Sequence, residues 1–580
     1  MNFKSFGRVC RIAAIGAILL GSASCIYVNE ELGQNLMPTD QKWDVFTPEP
    51  AVLEDMQVEI ADSLSAYSST RFTFGSINDP IFGTSIRSTS FTLVPAYDSL
   101  DFGTNTRIRQ FHLSAVRDTL STYHDNQERI LQNVYVSELK APLDTFTLYT
   151  GTFMDEKNRA TYLNTEKRIT AGIPVYDGGD SLSFDFSEEF AMSLVNRLNR
   201  KYELCDSMDL YLKTVPGIFI TTDAPAMEGG RINMFGLPIE SNSSGYITGN
   251  YAELKVTADY GERKDVDTSF VFYFGPVDFR DPEATNLPSQ FAFNACDTDD
   301  KVRNLVDEWE DSPKTKLYVE GSGGVKPVIK AREIKEIVSR MLSEAGIVDF
   351  KEVVINKATI MLPYEMPADY LEMEKFPQVL SPTVRLRSEE GGYINYAGLT
   401  DSSIATEDQG DINRSTCMYT PDISHHVQQI LNLKEDADID NYDIWMLIMR
   451  DEVVEEDSSN DQYNDYYNSL LYNSYYNNMM YGGYGGYGGY GYGYPGYGYG
   501  GYGGYGGYGG YGYGGYGYGY DNYYNYMMMA AMSNSYSTSE TSERSLDKDR
   551  FYCGVLNGPG AEGAKPSLKI TFSAPKTAER

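Results

Sequence analysis

The chain has 580 residues, a hydrophobic fraction of 41% and a formal net charge of −34 at pH 7. Such an excess of carboxylates repels phosphate backbones, so we do not expect nucleic acid as a partner. The length is sufficient for two or more domains.

The first 24 residues are predicted to be a signal peptide. Lys4, Arg8 and Arg11 precede an apolar run at 12–21. This run is shorter than the roughly 20 residues needed to span a bilayer. Cleavage there would leave Cys25 first, and Ser22-Ala23-Ser24-Cys25 resembles a bacterial lipobox. We therefore predict acylation at Cys25, including palmitate, and a lipid-anchored tether over 25–49. Plain secretion with an incidental cysteine is the alternative.

Short runs with strand alternation dominate the body of the chain. They are rich in β-branched and aromatic residues and are separated by Gly, Pro, Asn and Asp, which is typical of antiparallel β-sandwiches. We predict a mainly β fold with two jelly-roll-like β-sandwich domains, at 50–325 and 326–580. The runs lie at 89–95, 146–153, 216–222, 268–275, 354–362, 383–387, 442–449 and 568–573.

Few segments have helical periodicity. Residues 331–346 place apolar side chains on one face, and Gly346 is well placed to end that helix. Residues 184–198 and 421–433 share the pattern D-[FI]-S-x-x-[FV], and an apolar strand follows each. We predict that each is a short helix that covers a sandwich and leads into a central strand. Two unrelated amphipathic helices are the alternative.

A segment of Tyr, Gly and one proline, Pro495, occupies residues 481–520. Glycine removes the backbone preference for helix or strand, so we predict a disordered insert over 460–545 within the second domain. Its evenly spaced rings form a predicted stacking tract. Repeat expansion at a tolerant site is the alternative. The tyrosines singled out in this tract are Tyr481, Tyr484, Tyr487, Tyr502, Tyr505 and Tyr508.

Several motifs resemble those of a large group of Bacteroidota outer-membrane lipoproteins classed as a domain of unknown function. The motifs are ELGQNLMP behind Cys25, NDPIFG (78–83), YVEGSGG (318–324) with VINKATIMLP (354–363), and the closing KPSLKITF (565–572). The resemblance implies an outer-membrane lipoprotein and no catalytic residue. Gly321, Gly323 and Gly324 predict a tight turn between two strands. Glu30 and Glu31 resemble the surface-export signals of such lipoproteins, so we expect the protein to face the cell exterior.

Titratable residues show little sign of a metal or catalytic site. His425 and His426 are neighbours, about 100° apart on a helix, so they cannot share a metal as an i, i+4 pair would. His112 and His124 have no ligand spacing around them. The acidic string 435–443 resembles a calcium loop but lacks its bidentate Glu, because Leu447 stands in that place. We predict no enzyme, no cofactor and no metal site.

Four cysteines remain in the body of the chain: Cys205, Cys296, Cys417 and Cys553. Two disulfides with three alternative pairings, or free buried thiols, fit the sequence equally well.

Asp-Ser/Thr-aliphatic tripeptides resemble acceptor sites of bacterial periplasmic O-glycosylation. The candidate acceptors are Ser63, Ser99, Thr119, Ser181 and Ser207. Ordinary turn chemistry is the alternative.

These observations favour a non-catalytic surface lipoprotein that acts as a scaffold or binding module, with an outer-membrane protein as one candidate partner. The second hypothesis is a glycan-binding lipoprotein that uses aromatic stacking, and the third is an unrecognised hydrolase.

Overall fold

The computed structural model describes most of the chain from Trp43 onward. The described residues are 43–62, 64–68, 70–96, 100–118, 122–123, 130–143, 149–165, 167–204, 207–238, 240–241, 247–275, 291–347, 350–387, 393–404, 409–433, 436–455 and 540–575. All statements on structure below refer to these residues.

The part of the chain that the structure describes is mainly β, with thirty-two strands whose pairings are all antiparallel. The strands are β1 Trp43–Phe46, β2 Ala51–Val52, β3 Gln57–Ile60, β4 Tyr67–Ser68, β5 Arg71–Asp79, β6 Gly83–Phe91, β7 Leu93–Pro95, β8 Thr104–Val116, β9 Thr122–Tyr123, β10 Gln132–Asn133, β11 Tyr135–Leu139, β12 Leu163–Asn164, β13 Val175–Tyr176, β14 Ser181–Asp185, β15 Ile218–Thr221, β16 Gly229–Gly236, β17 Glu240–Ser241, β18 Ile247–Gly249, β19 Tyr251–Tyr260, β20 Arg263–Phe274, β21 Ala292–Thr298, β22 Lys316–Glu320, β23 Val325–Ile329, β24 Val354–Pro363, β25 Val379–Arg387, β26 Tyr393–Gly398, β27 Ile412–Asn413, β28 Met418–Tyr419, β29 Ile444–Glu455, β30 Glu540–Leu546, β31 Cys553–Asn557 and β32 Ser567–Pro575.

Helices in the described part of the chain are short and lie between the strands. The α-helices are Glu156–Tyr162, Glu188–Leu198, Met208–Thr214, Asp300–Asp307, Ala331–Glu344, Thr400–Ile404 and Ser424–Asn432. Short 3-10 segments are Gly151–Met154, Tyr202–Leu204, Phe350–Glu352, Tyr370–Lys375 and Asp436–Tyr442. No helix among the described residues is both long enough and apolar enough to cross a membrane.

Two sheets enclose the core of the first half of the chain. A nine-stranded sheet has the order β12-β11-β15-β6-β5-β16-β9, with β21 and β4 attached beside β6, and a five-stranded sheet has the order β14-β8-β19-β20-β7. Buried aromatic side chains fill the space between them; Phe72 stacks on Phe235 with a centroid distance of 5.0 Å, and Phe111 lies against Phe272. This sheet-on-sheet arrangement agrees with the predicted β-sandwich class.

Strands from both ends of the chain build the sheets of the second half. One six-stranded sheet has the order β1-β32-β24-β28-β27 with β2 beside β32, and the other has the order β26-β25-β29-β23-β3 with β30 beside β29. Thus β1 and β2 pair with β32, and β3 pairs with β23, although more than 250 residues separate them. Helices Ala331–Glu344 and Ser424–Asn432 bury their apolar faces in the same core.

Most predicted strands and helices are confirmed, with one error among the strands. Helix Ala331–Glu344 ends as predicted, because Gly346 has φ +79° and the N–H groups of Gly346 and Ile347 bond to the carbonyls of Ser343 and Leu342. The predicted strand at 146–153 is wrong where it is described, since Gly151–Met154 form a 3-10 turn. This turn packs on β21, where a side chain at Gly151 would meet Cys296.

The two segments with the shared pattern both form helices, but they start differently. Ser187 caps helix Glu188–Leu198 with its own hydroxyl, which accepts the N–H of Phe190. The N-terminus of helix Ser424–Asn432 is capped from another element, because both carboxylate oxygens of Asp401 accept the N–H groups of His425 and His426. The strands that follow, β15 and β29, lie inside their sheets as predicted.

A candidate functional site: a two-stranded arm and its buried root

The residues on either side of the Tyr/Gly segment pair with each other. Strand β29 pairs with β30 from Met449 opposite Leu546 to Glu455 opposite Glu540. Its other neighbour, β25, pairs with β29 only as far as Met449. Residues 450–455 therefore pair with 540–545 alone among the described residues, and we call this two-stranded extension the arm. Six residues of strand are about 20 Å long.

The Tyr/Gly segment is inserted at the end of this arm. Residues 456–539, which include all six tyrosines singled out above, lie outside the described residues. Glu455 and Glu540 flank these residues and face each other across an antiparallel pair, about 5 Å apart at Cα. Residues 456–539 are thus inserted between two paired strands, and β30 occupies residues that were expected to belong to the insert. The limits of the domains themselves stay a prediction.

Arg544 fixes the base of the arm. Its guanidinium donates to both carboxylate oxygens of Asp451, at 2.7 and 2.9 Å, and to both oxygens of Asp411, at 2.9 and 3.1 Å. A fifth hydrogen bond reaches the amide oxygen of Gln409 at 3.1 Å. The hydrogen bond to Asp451 is the main cause of the raised pKa of Arg544, and it lowers the pKa of Asp451. Bidentate pairs of this kind fix orientation as well as charge.

Replacing Arg544 by Ala is expected to loosen the arm without unfolding the protein. The pairs are partly exposed, so the free energy of unfolding should fall by only about 1 kcal/mol. Hydrogen exchange measured by mass spectrometry should nevertheless become faster in 450–455 and 540–545.

Arg107→Ala is the matched control, because Arg107 forms an exposed pair with Asp265 in a different sheet. We call the contacts of Arg544 with Asp451, Asp411 and Gln409 the clamp. Unchanged hydrogen exchange in the arm of the Arg544→Ala variant would show that the clamp does not hold the arm.

The chain that follows the arm, residues 547–553, is the anchor segment, and it contacts both halves of the protein. Asp549 accepts hydrogen bonds from Ser68, at 3.0 Å, and Asn294, at 2.9 Å, in the nine-stranded sheet. The Lys548 carbonyl accepts from the Ser322 hydroxyl at 2.5 Å, in the turn between β22 and β23. Asp547 accepts from the Tyr552 hydroxyl at 2.9 Å. The segment that follows the arm is therefore held by buried polar contacts to both halves of the protein.

Three charged side chains, which we call the charged centre, lie beside the anchor segment. Arg87 on β6, Glu320 on β22 and Lys326 on β23 are each at most 1% exposed. The Lys326 ammonium donates to the carbonyl oxygens of Glu320, Ser322 and Gly324, the last two at 2.9 and 3.2 Å. The Arg87 guanidinium lies 5.8 Å from the ring centroid of Phe551. Buried charges of this kind are costly unless opposite charges compensate them.

Within the described part of the chain, the Arg87 and Glu320 side chains make no hydrogen bond of ordinary geometry, so these two groups interact through their charges. Burial raises the pKa of Glu320, against the opposing effects of Arg87 and Lys326, while the nearby Val325 N–H also favours its ionised form. Burial lowers the pKa of Lys326, against the effect of Glu320. The Glu320 carboxylate therefore depends on Arg87 and Lys326 to remain ionised, and the Lys326 ammonium depends on Glu320.

Glycines in the turn between β22 and β23 allow this centre to form, as the tight turn predicted at 321–324 requires. A side chain at Gly324 would come within 2.3 Å of a Glu320 carboxylate oxygen, and one at Gly321 within 2.3 Å of the Arg550 carbonyl. Ser322 between them has φ +56°. Such close approaches are open only to glycine.

The predicted modification sites are only partly described. Cys25, Ser63, Ser99 and Thr119 lie outside the described residues. Ser181 begins β14 and Ser207 precedes helix Met208–Thr214, and both are exposed. The Ser207 hydroxyl also caps that helix by accepting the Leu210 N–H at 3.4 Å. Glycosylation at these positions stays a prediction.

Three of the four body cysteines are free thiols: Cys296, Cys417 and Cys553. Cys205 lies outside the described residues. The arrangement with two disulfides among these four residues is therefore not present. Burial raises the pKa of Cys296 to about 11 and also raises that of Cys553, so both remain protonated at neutral pH.

The histidines and the acidic string do not converge on a metal site. His112 contacts Asp185 at 2.8 Å on the surface, whereas His426 is buried and His425 is exposed. Asp436–Tyr442 form a 3-10 segment. Among the described residues, no three His, Cys, Asp or Glu side chains are placed to hold a metal ion.

His426 is expected to make folding sensitive to acid. Its Nε2–H donates to the Tyr442 carbonyl at 2.8 Å, and burial lowers its pKa from 6.5 to about 4. Between these values only the unfolded chain takes up the proton, so the free energy of unfolding falls as the pH drops from about 6.5 to about 4 and changes no further below that. Protonation of this histidine in the unfolded chain lowers the free energy of unfolding by about 3 kcal/mol in total.

Urea unfolding of His426→Gln between pH 4 and 7 should therefore show a shallower pH dependence than that of the wild type, since Gln can keep the donor but has no charge to gain. His425→Gln is the matched control, because the His425 ring is exposed and lies within hydrogen-bond distance of Gln429. Equal slopes for all three proteins would contradict the prediction.

Sequence patterns offered no signal for the clamp or the charged centre. Arg544 and Asp411 are 133 residues apart, and Arg87 and Glu320 are each single charges within strand-like runs.

No protein-family model matches this chain, and neither a curated protein nor a solved structure does.

Proposed function

We propose that the protein is a non-catalytic outer-membrane lipoprotein, facing the cell exterior, that acts as a scaffold or binding module. The observation that carries this proposal is the arm, because the pairing of Glu455 with Glu540 holds together the two points between which residues 456–539, with the Tyr/Gly segment among them, are inserted. A predicted acyl anchor at Cys25 would hold the whole chain at the membrane. The partner is an outer-membrane protein or a glycan, and not a nucleic acid.

The composition of the segment suits it to many weak contacts. Residues 466–520 contain no charged side chain, so the segment does not repel other acidic surfaces as the rest of the chain does. Each tyrosine offers a ring face for stacking and a hydroxyl for hydrogen bonding. Contacts that are individually weak add up when many of them are made by one tethered chain.

A glycan-binding lipoprotein is the second candidate, and the same segment favours it. Tyr481, Tyr484 and Tyr487 recur every third residue, as do Tyr502, Tyr505 and Tyr508. Rings repeated in this way could stack on successive sugars of a polysaccharide. Under this alternative the bound molecule is a glycan, whereas under the first candidate it is an outer-membrane protein.

Removal of residues 481–520, with a short Gly/Ser linker joining the ends, tests the binding role. The melting temperature should stay within a few degrees, because no described core residue is lost, while binding to cell surfaces should fall. The matched control replaces the six named tyrosines by serine and keeps the length. Loss of binding in both variants supports the rings as the contacts, and unchanged binding in both would contradict a binding role for the segment.

The identity of the bound molecule is tested by affinity purification from solubilised membranes, compared with binding to isolated cell-surface polysaccharide. A co-purifying outer-membrane protein that is lost with residues 481–520 supports the scaffold, and retention on polysaccharide supports glycan binding.

Cys25→Ser tests the anchor. This variant should leave the membrane fraction and should fail to incorporate labelled palmitate. Continued sedimentation with outer membranes, or continued labelling, would contradict acylation at Cys25.

A further inference from the structure

One face of the sheet formed by β1, β32 and β24 is apolar and basic in an otherwise acidic protein. Strand alternation places Trp43 and Val45 of β1 on this outward face, beside Lys569 of β32 and Val354 and Lys357 of β24. Register places Val45 and Val354 on opposite sides of Ser573, and Trp43 opposite Pro575. We call this surface the tether-side face.

The apolar side chains on this face are exposed, unlike those on the other side of the same strands. Trp43 is 46% exposed, Val45 67% and Val354 45%. On the inner side, Phe46 stacks on Phe572 with a centroid distance of 5.3 Å. Single exposed apolar residues are common on protein surfaces, but here three occupy neighbouring positions of one sheet.

Charge sets the tether-side face apart from the rest of the surface. Its lysines, Lys357 and Lys569, are exposed. None of the outward positions of β1, β32 and β24 is Asp or Glu, although the chain carries 82 acidic residues. Tryptophan and lysine beside aliphatic side chains are the residues that membrane interfaces favour.

Chain length limits how far this face can lie from the predicted anchor. Trp43 is 18 residues after Cys25, so a fully extended tether keeps it within about 60 Å of the acylated cysteine. We propose that the tether-side face lies on the surface of the lipid bilayer, with Trp43 at the level of the headgroups. This inference rests on the proposed anchoring for its location in the cell, but the affinity of the face for lipid is independent of the anchor.

The three tryptophans of the chain make this proposal directly testable. Trp309 and Trp445 are each 3% exposed, so Trp43 is the one that an aqueous quencher can reach. The mature chain carrying Cys25→Ser, which has no acyl group, is mixed with vesicles of phosphatidylcholine and phosphatidylglycerol. We expect the Trp43 emission to shift to the blue, to lose its sensitivity to acrylamide and to be quenched by brominated lipid. Weaker binding is expected to vesicles of phosphatidylcholine alone, because the lysines then lack anionic headgroups.

Val45→Ser/Val354→Ser in the same background should weaken vesicle binding at least about tenfold while keeping Trp43 as the reporter. Leu131→Ser/Val175→Ser is the matched control, because these side chains are 68% and 52% exposed elsewhere on the protein. Emission from Trp309 and Trp445 reports that each variant is folded.

Emission from Trp43 that is unchanged by vesicles would overturn the proposal. So would protection of Trp43 that depends on protein concentration and appears without lipid, since a second copy of the chain would then cover the face. Failure of palmitate labelling at Cys25 would instead overturn the anchoring and leave the vesicle result intact.

Discussion

A chain that ends at Ser458 is expected to lose the fold of its second half, because it lacks β30, β31 and β32. Strand β32 lies between β24 on one side and β1 and β2 on the other, so its removal separates the strands that it joins. Leu568, Ile570 and Phe572 of β32 are at most 1% exposed. Burial of three such side chains contributes about 5–9 kcal/mol, which is comparable with the whole stability of a typical domain.

Limited proteolysis and circular dichroism measure this outcome. The truncated chain should be degraded rapidly beyond the first half and should lack a cooperative thermal transition for the second half. The variant that lacks only residues 481–520 is the control, because it retains β30, β31 and β32. If the truncated chain melts as the control does, β32 is not essential to the core.

Arg87→Met is expected to lower the free energy of unfolding by about 3–5 kcal/mol, the second largest effect. The substitution keeps much of the side-chain volume but leaves the Glu320 carboxylate buried with less compensating charge. Glu320→Gln in the same chain removes that carboxylate. The double variant should therefore be more stable than the sum of the two single effects predicts.

Urea unfolding of the four proteins, which are the wild type, the two single variants and the double variant, gives the coupling energy between Arg87 and Glu320. Arg107→Met is the matched control, because the Arg107 side chain is 66% exposed and its guanidinium pairs with Asp265 at the surface. We expect that control to change the stability by less than about 1 kcal/mol. Additive effects of Arg87→Met and Glu320→Gln would show that the two charges do not stabilise each other.

Local patterns in the sequence were sufficient for many of the elements. Alternation predicted β15, β20, β24 and β32, and the apolar stripe with Gly346 predicted helix Ala331–Glu344 and the way it ends. These features depend on interactions between residues that are near one another in the chain. The turn at Gly321 and Gly324 was predictable for the same reason, although the Glu320 carboxylate that makes Gly324 necessary was not.

The predicted strand at 146–153 shows where the prediction of secondary structure from local sequence fails. Its aromatic and β-branched residues fit a strand, yet Gly151–Met154 turn over β21 and pack against the Cys296 region. Tertiary packing decided this conformation, because β propensity reflects how a side chain fits its surroundings rather than a fixed preference of the backbone.

The sequence by itself determined that the protein is mainly β, where several of its strands and its longest helix lie, and that a low-complexity segment precedes the last strand. Only the tertiary structure decided that β1 pairs with β32, that β29 and β30 form an arm, and that Arg87 acts electrostatically on Glu320 and Lys326. Any strand edge offers the same backbone donors and acceptors, so partners far apart in the chain carry no local signal. A single buried charge is likewise indistinguishable in sequence from an exposed one until the fold places its opposite charge beside it.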